Sequence, residues 1–250
     1  MVTNQTQNKL HSLRMLGMIK ALEEQSKSTQ YHSMTFEERF GLIVDREFNH
    51  RNNRQIERRI KNGTLKFPSA CPEDVDWKAQ RGLDKNQFLA LQSCSWIVEK
   101  QNIILIGPTG TGKTWLSCAL SQKACVEGFT VKFYRTPRLF ADLNAAKSDG
   151  TFMKLLKKIA RYDVVVFDDW GQPLNDSERR DFMEIIEDRN ESRSTIFTTQ
   201  LSTEKWHEVI GDPTTADSIM DRIIHRAHVL NLSGDTQRKK YGGIGSRNKK

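Results

Sequence analysis

An octet with the composition of a phosphate-binding loop lies in the middle of this sequence. Residues 107–114 read GPTGTGKT and match the pattern G-x-x-x-x-G-K-[ST] at every fixed position. Glycines let the backbone turn tightly and approach a phosphate, and the amide groups that open the following helix favour an anion. Lys113 can then reach the β- and γ-phosphates, and the Thr114 hydroxyl can ligate Mg²⁺. The predicted nucleotide-binding residues are Gly107, Pro108, Thr109, Gly110, Thr111, Gly112, Lys113 and Thr114.

A pair of acids follows an apolar run some fifty residues further along the chain. Residues 164–167 read VVVF, and Asp168 and Asp169 come directly after them. A buried parallel strand that ends this way delivers both acids to the sheet edge from which the phosphate loop also leaves. Asp168 is predicted to hold Mg²⁺, directly or through water, and Asp169 to orient or deprotonate the attacking water. An ordinary turn with a helix cap is the alternative, which the complete phosphate loop disfavours.

The run STIFTTQ predicts a further strand that ends in polar residues at positions 194–200. In a sheet of this kind the tip of the strand can lie beside the γ-phosphate. Gln200, with Thr199 as second choice, is therefore a candidate to orient the attacking water. A plain strand cap is nearly as good an interpretation of either residue.

Two arginines near the end of the sequence are candidates to sense the γ-phosphate. Arg222 lies on the polar face of a predicted helix and could be an arginine finger for a neighbouring subunit, which neutralises charge on the transferred phosphoryl group. Its spacing alone favours an ion pair with Asp221 or Asp217 instead. Arg238, beyond the last predicted strand, could act in its own subunit or simply belong to the basic tail.

Strand and helix patterns alternate from about residue 78 onward. This alternation predicts a three-layer α/β domain with a mostly parallel sheet of five strands. One strand and at least one helix separate the two motifs, as a nucleotide-binding fold with an additional strand requires. The predicted strands are 103–107, 130–135, 163–168, 194–199 and 228–232, and the predicted helices are 84–99, 113–127, 137–147, 151–161, 175–192, 203–210 and 215–227.

The first 64 residues predict a small all-helical domain. A helix over 8–25 is followed by a second helix, in which Thr35 and Glu38 have the spacing of a capping box and Gly63 is a stop signal. The expected domains are a helical domain at 1–64, a linker or docking segment at 65–77, a nucleotide-binding domain at 78–235 and a basic flexible tail at 236–250.

Positive charge is concentrated at the two ends of the chain. Residues 1–70 hold 12 Lys and Arg against 7 Asp and Glu, and residues 238–250 hold 6 Lys and Arg and no acid, whereas the whole chain carries a net charge of +8. Basic ends around a near-neutral nucleotide-binding middle suggest a polyanionic partner, most simply nucleic acid, although solubility alone is an alternative. The candidate DNA contacts are Arg51, Arg54, Arg58, Arg59 and Lys61.

The four cysteines form no metal or disulfide pattern. Cys118 and Cys125 are seven residues apart on a predicted helix and are expected in the core, and free thiols suit a reducing cytoplasm. The sequence shows neither a signal peptide nor a stretch of 18 apolar residues, so a cytoplasmic protein with no membrane segment is expected.

Taken together, these motifs resemble the IstB-like ATPases, the transposition helper proteins of bacterial insertion sequences. The resemblance covers nearly the whole chain and includes LRMLGM at 13–18, FEER at 36–39, GLD at 82–84, FDDWG at 167–171 and MDRIIHRAH at 220–228. It implies a fold of the AAA+ class, related to DnaC-type helicase loaders. A full helical lid has no room after the last predicted strand, which is typical of this branch.

The resemblance also implies a function. It implies a homo-oligomer with ATP and Mg²⁺ at its subunit interfaces, which binds duplex DNA with little sequence preference, deforms it and delivers it to a transposase that stimulates ATP hydrolysis. By motif, Asp168 holds Mg²⁺, Asp169 is the catalytic acid, Gln200 the first sensor, Arg222 the trans-acting finger and Arg238 the second sensor. Many AAA+ proteins have Glu at the place of Asp169, so slow basal turnover is expected.

Three other functions fit parts of the sequence. A DnaC-type helicase loader would use the same core, but would grip a helicase and prefer single-stranded DNA. A DNA-binding scaffold with structural ATP is disfavoured by intact Lys113, Asp168 and Asp169. A small-molecule kinase is disfavoured because neither an acceptor-site signature nor a lid is found.

Overall fold

The computed structural model of the protein describes residues 4–234 and 236. The chain forms two compact units, and the boundary between them lies at Arg58–Arg59. The helices are α1 (Asn4–Ser12), α2 (Leu16–Lys27), α3 (Phe36–Gly63), α4 (Lys85–Leu91), α5 (Ser95–Val98), α6 (Lys113–Val126), α7 (Thr136–Ser148), α8 (Phe152–Arg161), α9 (Asp176–Arg189), α10 (Trp206–Ile210) and α11 (Pro213–Ile224). The strands are β1 (Asn102–Ile106), β2 (Val131–Arg135), β3 (Val164–Trp170), β4 (Ser194–Thr199) and β5 (Ala227–Asn231).

The second unit is built on a five-stranded sheet in the order β2-β3-β4-β1-β5. Every strand pair is parallel, and helices connect the strands, as the sequence predicted. Strand β4 lies between β1 and β3. The carboxyl ends of β1 and β3, which carry the phosphate loop and the two acids, therefore lie on either side of the tip of β4.

Both faces of this sheet are covered, which is why strands β1 and β3 carry nearly continuous apolar runs. Ile103 and Leu105 point into one core cluster, whereas Ile104 points into the other. The second cluster contains a group of contacting aromatic rings, in which Trp170 stacks on Phe182 with ring centroids 4.4 Å apart. This packing fixes the end of β3, where the acids lie.

A buried arginine ties the opposite, amino-terminal edge of the sheet together. Arg189, the last residue of α9, donates hydrogen bonds to the carbonyl oxygens of Ile159, Tyr162 and Ser194. Burial lowers its pKa to about 9. Its donors satisfy backbone oxygens that would otherwise be buried without partners.

The first unit is helical, as predicted, and a carboxylate organises it. Glu47 of α3 is buried and accepts hydrogen bonds from the backbone amides of Gly17 and Met18 at 2.7 and 3.1 Å, so it caps the start of α2. Burial alone would raise the pKa of Glu47, but hydrogen bonds from Arg51, Met18 and Gly17 outweigh it and lower the pKa. The predicted capping box at the start of α3 is confirmed, because Thr35 and Glu38 exchange hydrogen bonds.

Two predicted helices are wrong because each is broken by a left-handed residue. The helix expected over 8–25 is interrupted around Arg14, whose φ is +55°, and α2 begins anew where Glu47 caps it. The helix expected over 84–99 breaks at Cys94, whose φ is +59°. Neither break is marked by Gly or Pro, so local sequence does not announce it.

The segment 65–77 belongs to the second unit. Its Leu65, Ala70 and Val75 are buried in the core cluster that also holds Cys118 and Cys125. The core location expected for those two cysteines is confirmed. The expected tail at 236–250 lies outside the described residues apart from position 236. Among residues 4–234, no helix is long and apolar enough to cross a bilayer.

Candidate functional site

The phosphate-loop octet joins β1 to α6, as the sequence predicted. Its glycines Gly107, Gly110 and Gly112 have φ values of +155°, +92° and +97°. A Cβ atom at Gly107 would lie 2.4 Å from the carbonyl oxygen of Leu232, so glycine is required there. The amide of Gly107 donates to the carbonyl oxygen of Thr199 at 3.1 Å, which ties the start of the loop to the end of β4.

Lys113 turns back into the loop that precedes it. It is the first residue of α6, and its Nζ donates to the carbonyl oxygens of Gly107 and Pro108 at 2.5 and 2.8 Å. The side chain is buried. A positive charge therefore lies inside the loop, next to the amide groups at the start of a 14-residue helix, an arrangement that attracts phosphate.

Asp168 is the centre of a hydrogen-bonded cluster at the end of β3. Its Oδ1 accepts hydrogen bonds from the hydroxyls of Thr114 and Thr198, each at 2.7 Å. Its backbone oxygen accepts one from the Thr136 hydroxyl at 3.0 Å. Asp168 is only 3% exposed, so these bonds offset the cost of burying a charge. The structure thus brings the Thr114 and Asp168 oxygens together, as expected from the two motifs.

A bulge in β3 turns the second acid toward the same cavity. Phe167 pairs with Phe197, and Trp170 pairs with Thr199, so β3 holds one extra residue between these pairs. Successive strand residues normally point to opposite faces, and a bulge re-aims one of them. Asp169 adopts φ +67°, and its Oδ2 lies 3.2 Å from Nη2 of Arg135 at the tip of β2.

The tip of β4 supplies a residue that sequence reasoning missed. The Thr198 hydroxyl donates to Asp168 and accepts from the amide of Asp169, so it holds both acids. Thr199 is buried, and its hydroxyl accepts from the Leu201 amide. Gln200 is exposed and lines the cavity. The available signal was the pair of threonines at the end of a wholly buried strand, where a polar side chain needs a specific partner.

These groups line one cavity of about 610 Å³, a volume typical of cofactor and small-molecule sites. One part of its wall consists of the phosphate loop, Asp168, Asp169 and the tip of β4. The other part comes from the segment before the sheet, which sequence analysis expected to be a linker or docking segment. That segment contributes Lys66, Phe67, Ser69, Asp74 and Asp76, and Arg81 follows it within the predicted nucleotide-binding domain.

Arg222 does not line this cavity. Its guanidinium donates to the backbone oxygen of Ser218 at 2.8 Å and contacts Glu187 of α9 at 3.2 Å. The expected ion pair with Asp221 or Asp217 is therefore wrong, because those acids contact His225 and His207 instead. Arg238 lies outside the described residues.

The basic candidates on α3 are spread along its surface. Arg51, Arg54, Arg58 and Lys61 are exposed, Arg59 is half-buried, and Arg51 also contacts Glu47. Sequence reasoning missed a second basic face on α8. There Leu156 and Ile159 are buried, while the opposite face is exposed and carries Lys154, Lys157, Lys158 and Arg161.

Comparison with known proteins places this site in a family. The family described as "IstB-like ATP binding protein" matches residues 8–242. The chain belongs to this family. Over 240 residues it is 41% identical to a Sinorhizobium fredii protein named as an insertion sequence ATP-binding protein, covering 96% of this chain and 98% of that one. It is 46% identical over 202 residues to the ATP-binding protein named for insertion sequence IS1162 of Pseudomonas fluorescens, covering 80% of this chain and 87% of that one.

Solved structures show the same fold at lower identity. DnaI matches with a TM-score of 0.57 and 22% identity, covering 68% of this chain and 91% of that chain. The DnaC helicase loader matches with a TM-score of 0.54 and 24% identity, covering 65% and 97%. This family member therefore has the AAA+ fold that the sequence predicted.

Proposed function

We propose that this protein is an ATP-hydrolysing transposition helper that assembles on duplex DNA, deforms it and delivers it to a transposase. The observation that supports hydrolysis best is the cluster of Thr114, Asp168 and Thr198 beside Lys113. Relatives named as insertion sequence ATP-binding proteins support the transposition context.

The residues at the cavity fit ATP and Mg²⁺. Thr114 and Asp168 place a hydroxyl and a carboxylate oxygen side by side, and such hard oxygen ligands suit Mg²⁺. These two residues would hold the ion, which when bound would neutralise charge on the phosphates. Lys113 and the loop amides would bind the β- and γ-phosphates, as the positive φ values and the buried ammonium group support.

We assign the handling of the attacking water to Asp169. Its carboxylate is the proton acceptor, and Thr198 holds its backbone in place. Gln200 is the sensor beside the γ-phosphate, since its side chain lines the cavity while the Thr199 hydroxyl is engaged with Leu201. We assign Arg222 to the cavity of a neighbouring subunit as an arginine finger, a role that is compatible with its position outside the cavity of its own chain.

DNA binding is supported by positive charge in each unit considered by itself. In the second unit, Lys132 donates to the carbonyl oxygen of Asn62, so the end of α3 that carries Lys61 lies beside β2. Burial first, and then the charge of Lys158, lower the pKa of Lys132. The exposed basic side chains of α3 and of α8 can bind phosphate without reading bases, so binding should fall steeply with salt.

The first test is binding to labelled random duplex and single-stranded DNA, each with ATP, ADP or no nucleotide, with complex size recorded. We expect large complexes on duplex DNA only with ATP, and none with Lys113→Ala. A preference for single strands would replace this proposal with a helicase loader. Binding that ignores nucleotide would replace it with a passive scaffold.

A second test concerns the trans-acting arginine. Arg222→Ala should lower DNA-stimulated phosphate release by about 100-fold or more, because an arginine finger is worth several orders of magnitude in rate. It should also reduce the DNA-bound oligomer. Arg226→Ala, which changes a nearby arginine bonded to the Glu99 carbonyl oxygen, is the matched control. Unchanged hydrolysis and assembly in Arg222→Ala would remove the finger from the proposal.

A further inference from the structure

Arg81 is a buried arginine that lies beside the phosphate loop. The residue is only 5% exposed, although arginine is a residue type that is rarely fully buried. It lines the cavity of the candidate site together with Gly112 and Lys113. Its Nη1 lies 3.0 Å from the point that a Cβ atom on Gly112 would occupy. The guanidinium group therefore lies against the last glycine of the loop.

The backbone around Arg81 is fixed against the chain that follows β5. The amide of Ser233 donates a hydrogen bond to the carbonyl oxygen of Arg81 at 2.8 Å. A Cβ atom on Gly234 would lie 2.3 Å from the carbonyl oxygen of Gln80, so the two segments approach each other more closely than a side chain would allow. Because β5 pairs with β1, which leads into the phosphate loop, these contacts hold Arg81 in place relative to the loop.

We infer that Arg81 is a further nucleotide-binding residue, whose guanidinium group binds the α- and β-phosphates. In a phosphate loop the backbone amides cradle the α- and β-phosphates, whereas the lysine reaches the β- and γ-phosphates. Arg81 lies against this cradle at Gly112, whereas Lys113 is engaged at the start of the loop. A guanidinium group presents its donors in a fixed fork that matches a phosphate. This inference rests on the nucleotide binding in the proposed function, but it concerns a residue outside both sequence motifs.

Residues 66–81 bring other charged side chains to the cavity, and these are less suited to the role. Asp74 and Asp76 are carboxylates, which repel phosphate. Lys66 is exposed. Among the described residues that line the cavity, Arg81 and Lys113 are therefore the two buried cations. A buried charge is screened less than an exposed one, so Arg81 should contribute strongly to the affinity for phosphate.

Titration calorimetry of the full chain with three ligands tests this assignment. The ligands are ADP, a non-hydrolysable ATP analogue and inorganic triphosphate, which keeps the phosphates but lacks the base and the ribose. Arg81→Met should weaken the binding of ADP and of the ATP analogue by the same factor, because the α- and β-phosphates are common to both. We expect a loss of about 10- to 100-fold, the range that corresponds to hydrogen bonds from a charged group. The affinity for triphosphate should fall by a similar factor.

Two further variants are the controls. Lys78→Ala removes the same charge from an exposed lysine that lies three residues away and does not line the cavity, so it should stay within about twofold of wild type. Arg81→Lys keeps the charge but not the fork, so it should bind all three ligands with intermediate affinity. Urea unfolding without nucleotide shows whether the variants fold. If Arg81→Met does not fold, Arg81→Lys carries the test, with an expected loss of roughly three- to tenfold for every ligand.

Several results would overturn the assignment. Wild-type affinity in the folded Arg81 variant would remove Arg81 from the site and leave the proposed function in place. A loss of affinity for the ATP analogue but not for ADP would assign Arg81 to the γ-phosphate instead. A loss for both nucleotides but not for triphosphate would assign it to the base or the ribose. If the wild type bound none of the ligands, the proposed function itself would fail, and this inference with it.

Discussion

The carboxyl edge of the sheet and the surface of helix α3 differ in which side chains are buried and which are exposed. At the sheet edge, charged and polar side chains are buried, and Asp168 has partners for its carboxylate and its backbone oxygen. On α3, large apolar rings are exposed and arginines line the surface. The difference teaches that one chain completes the chemical cluster at the sheet edge, whereas α3 leaves large apolar side chains exposed.

At the sheet edge, we expect the largest effect on phosphate release when the charge of Asp168 is removed. Asp168→Asn keeps the size of the side chain but loses the carboxylate proposed to hold Mg²⁺. We expect phosphate release to fall by about 100-fold or more, as when one preorganised charge-stabilising group is lost. Asp188→Asn, which changes an exposed acid of α9, should stay within about twofold. A rate above half of wild type for Asp168→Asn would contradict the proposed role.

Two glycine substitutions, one at the sheet edge and one on α3, should change the free energy of unfolding in opposite directions. Gly107→Ala should lower the free energy of unfolding by about 2–3 kcal/mol, because the new Cβ would collide with Leu232 at a positive φ. Gly41→Ala should raise it by about 0.5–1 kcal/mol, because a Cβ there meets no atom within 4 Å in the middle of α3. Urea unfolding measures both. If both substitutions changed the free energy of unfolding in the same direction, the expected difference between the two regions would be wrong.

A third test asks whether the first unit has a buried polar centre of its own. Glu47→Gln should cost about 1–2 kcal/mol, because the neutral amide loses charge-assisted hydrogen bonds to two amides and Arg51. The pKa of Glu47 is lowered in the folded state, so its contribution is complete above the ordinary value of 4.5. That contribution is lost as pH falls through the lowered pKa.

The measurement is urea unfolding of wild type and Glu47→Gln at a series of pH values. The two proteins should differ most above pH 4.5 and converge in stronger acid. Glu57→Gln, an exposed acid on the same helix, should show no such difference. A gap between wild type and Glu47→Gln that stays constant with pH would contradict the role of the charge.

Local patterns were enough to predict the sheet and the phosphate loop. Strands β1 and β3 carry apolar runs and the octet carries its geometry in its own glycines, so neither feature needs distant information. Thr198 could not be assigned in this way, because its role depends on β4 lying between β1 and β3. The partner of Arg222 was wrong for the same reason, since Glu187 lies on another helix.

The interruptions of the two predicted helices also could not be predicted from local sequence patterns. Arg14 and Cys94 are left-handed without being glycine, so residue type does not mark either break. The bulge at Asp169 is a further case. The sequence placed two acids at the strand end, but only pairing with β4 shows how both come to line one cavity.

The smallest expected effect concerns the ion pair between Arg135 and Asp169. Both side chains are about half exposed, and the guanidinium competes for the carboxylate that we assign to the attacking water. Arg135→Ala should therefore raise basal phosphate release about two- to fivefold, the range that corresponds to an exposed ion pair of up to about 1 kcal/mol. Arg138→Ala, an exposed arginine on α7, is the matched control.

A double-mutant cycle separates this effect from a change in nucleotide binding. If Arg135 acts through Asp169, then Arg135→Ala should change nothing in an Asp169→Asn background, because the carboxylate is already gone. A fall in rate in the single variant, or an equal effect in both backgrounds, would mean that Arg135 contacts the nucleotide itself. In that case the hydrogen bonds within one chain would not complete the sheet edge. Its exposed rim, where Arg135 lies, would also need contacts with the bound nucleotide.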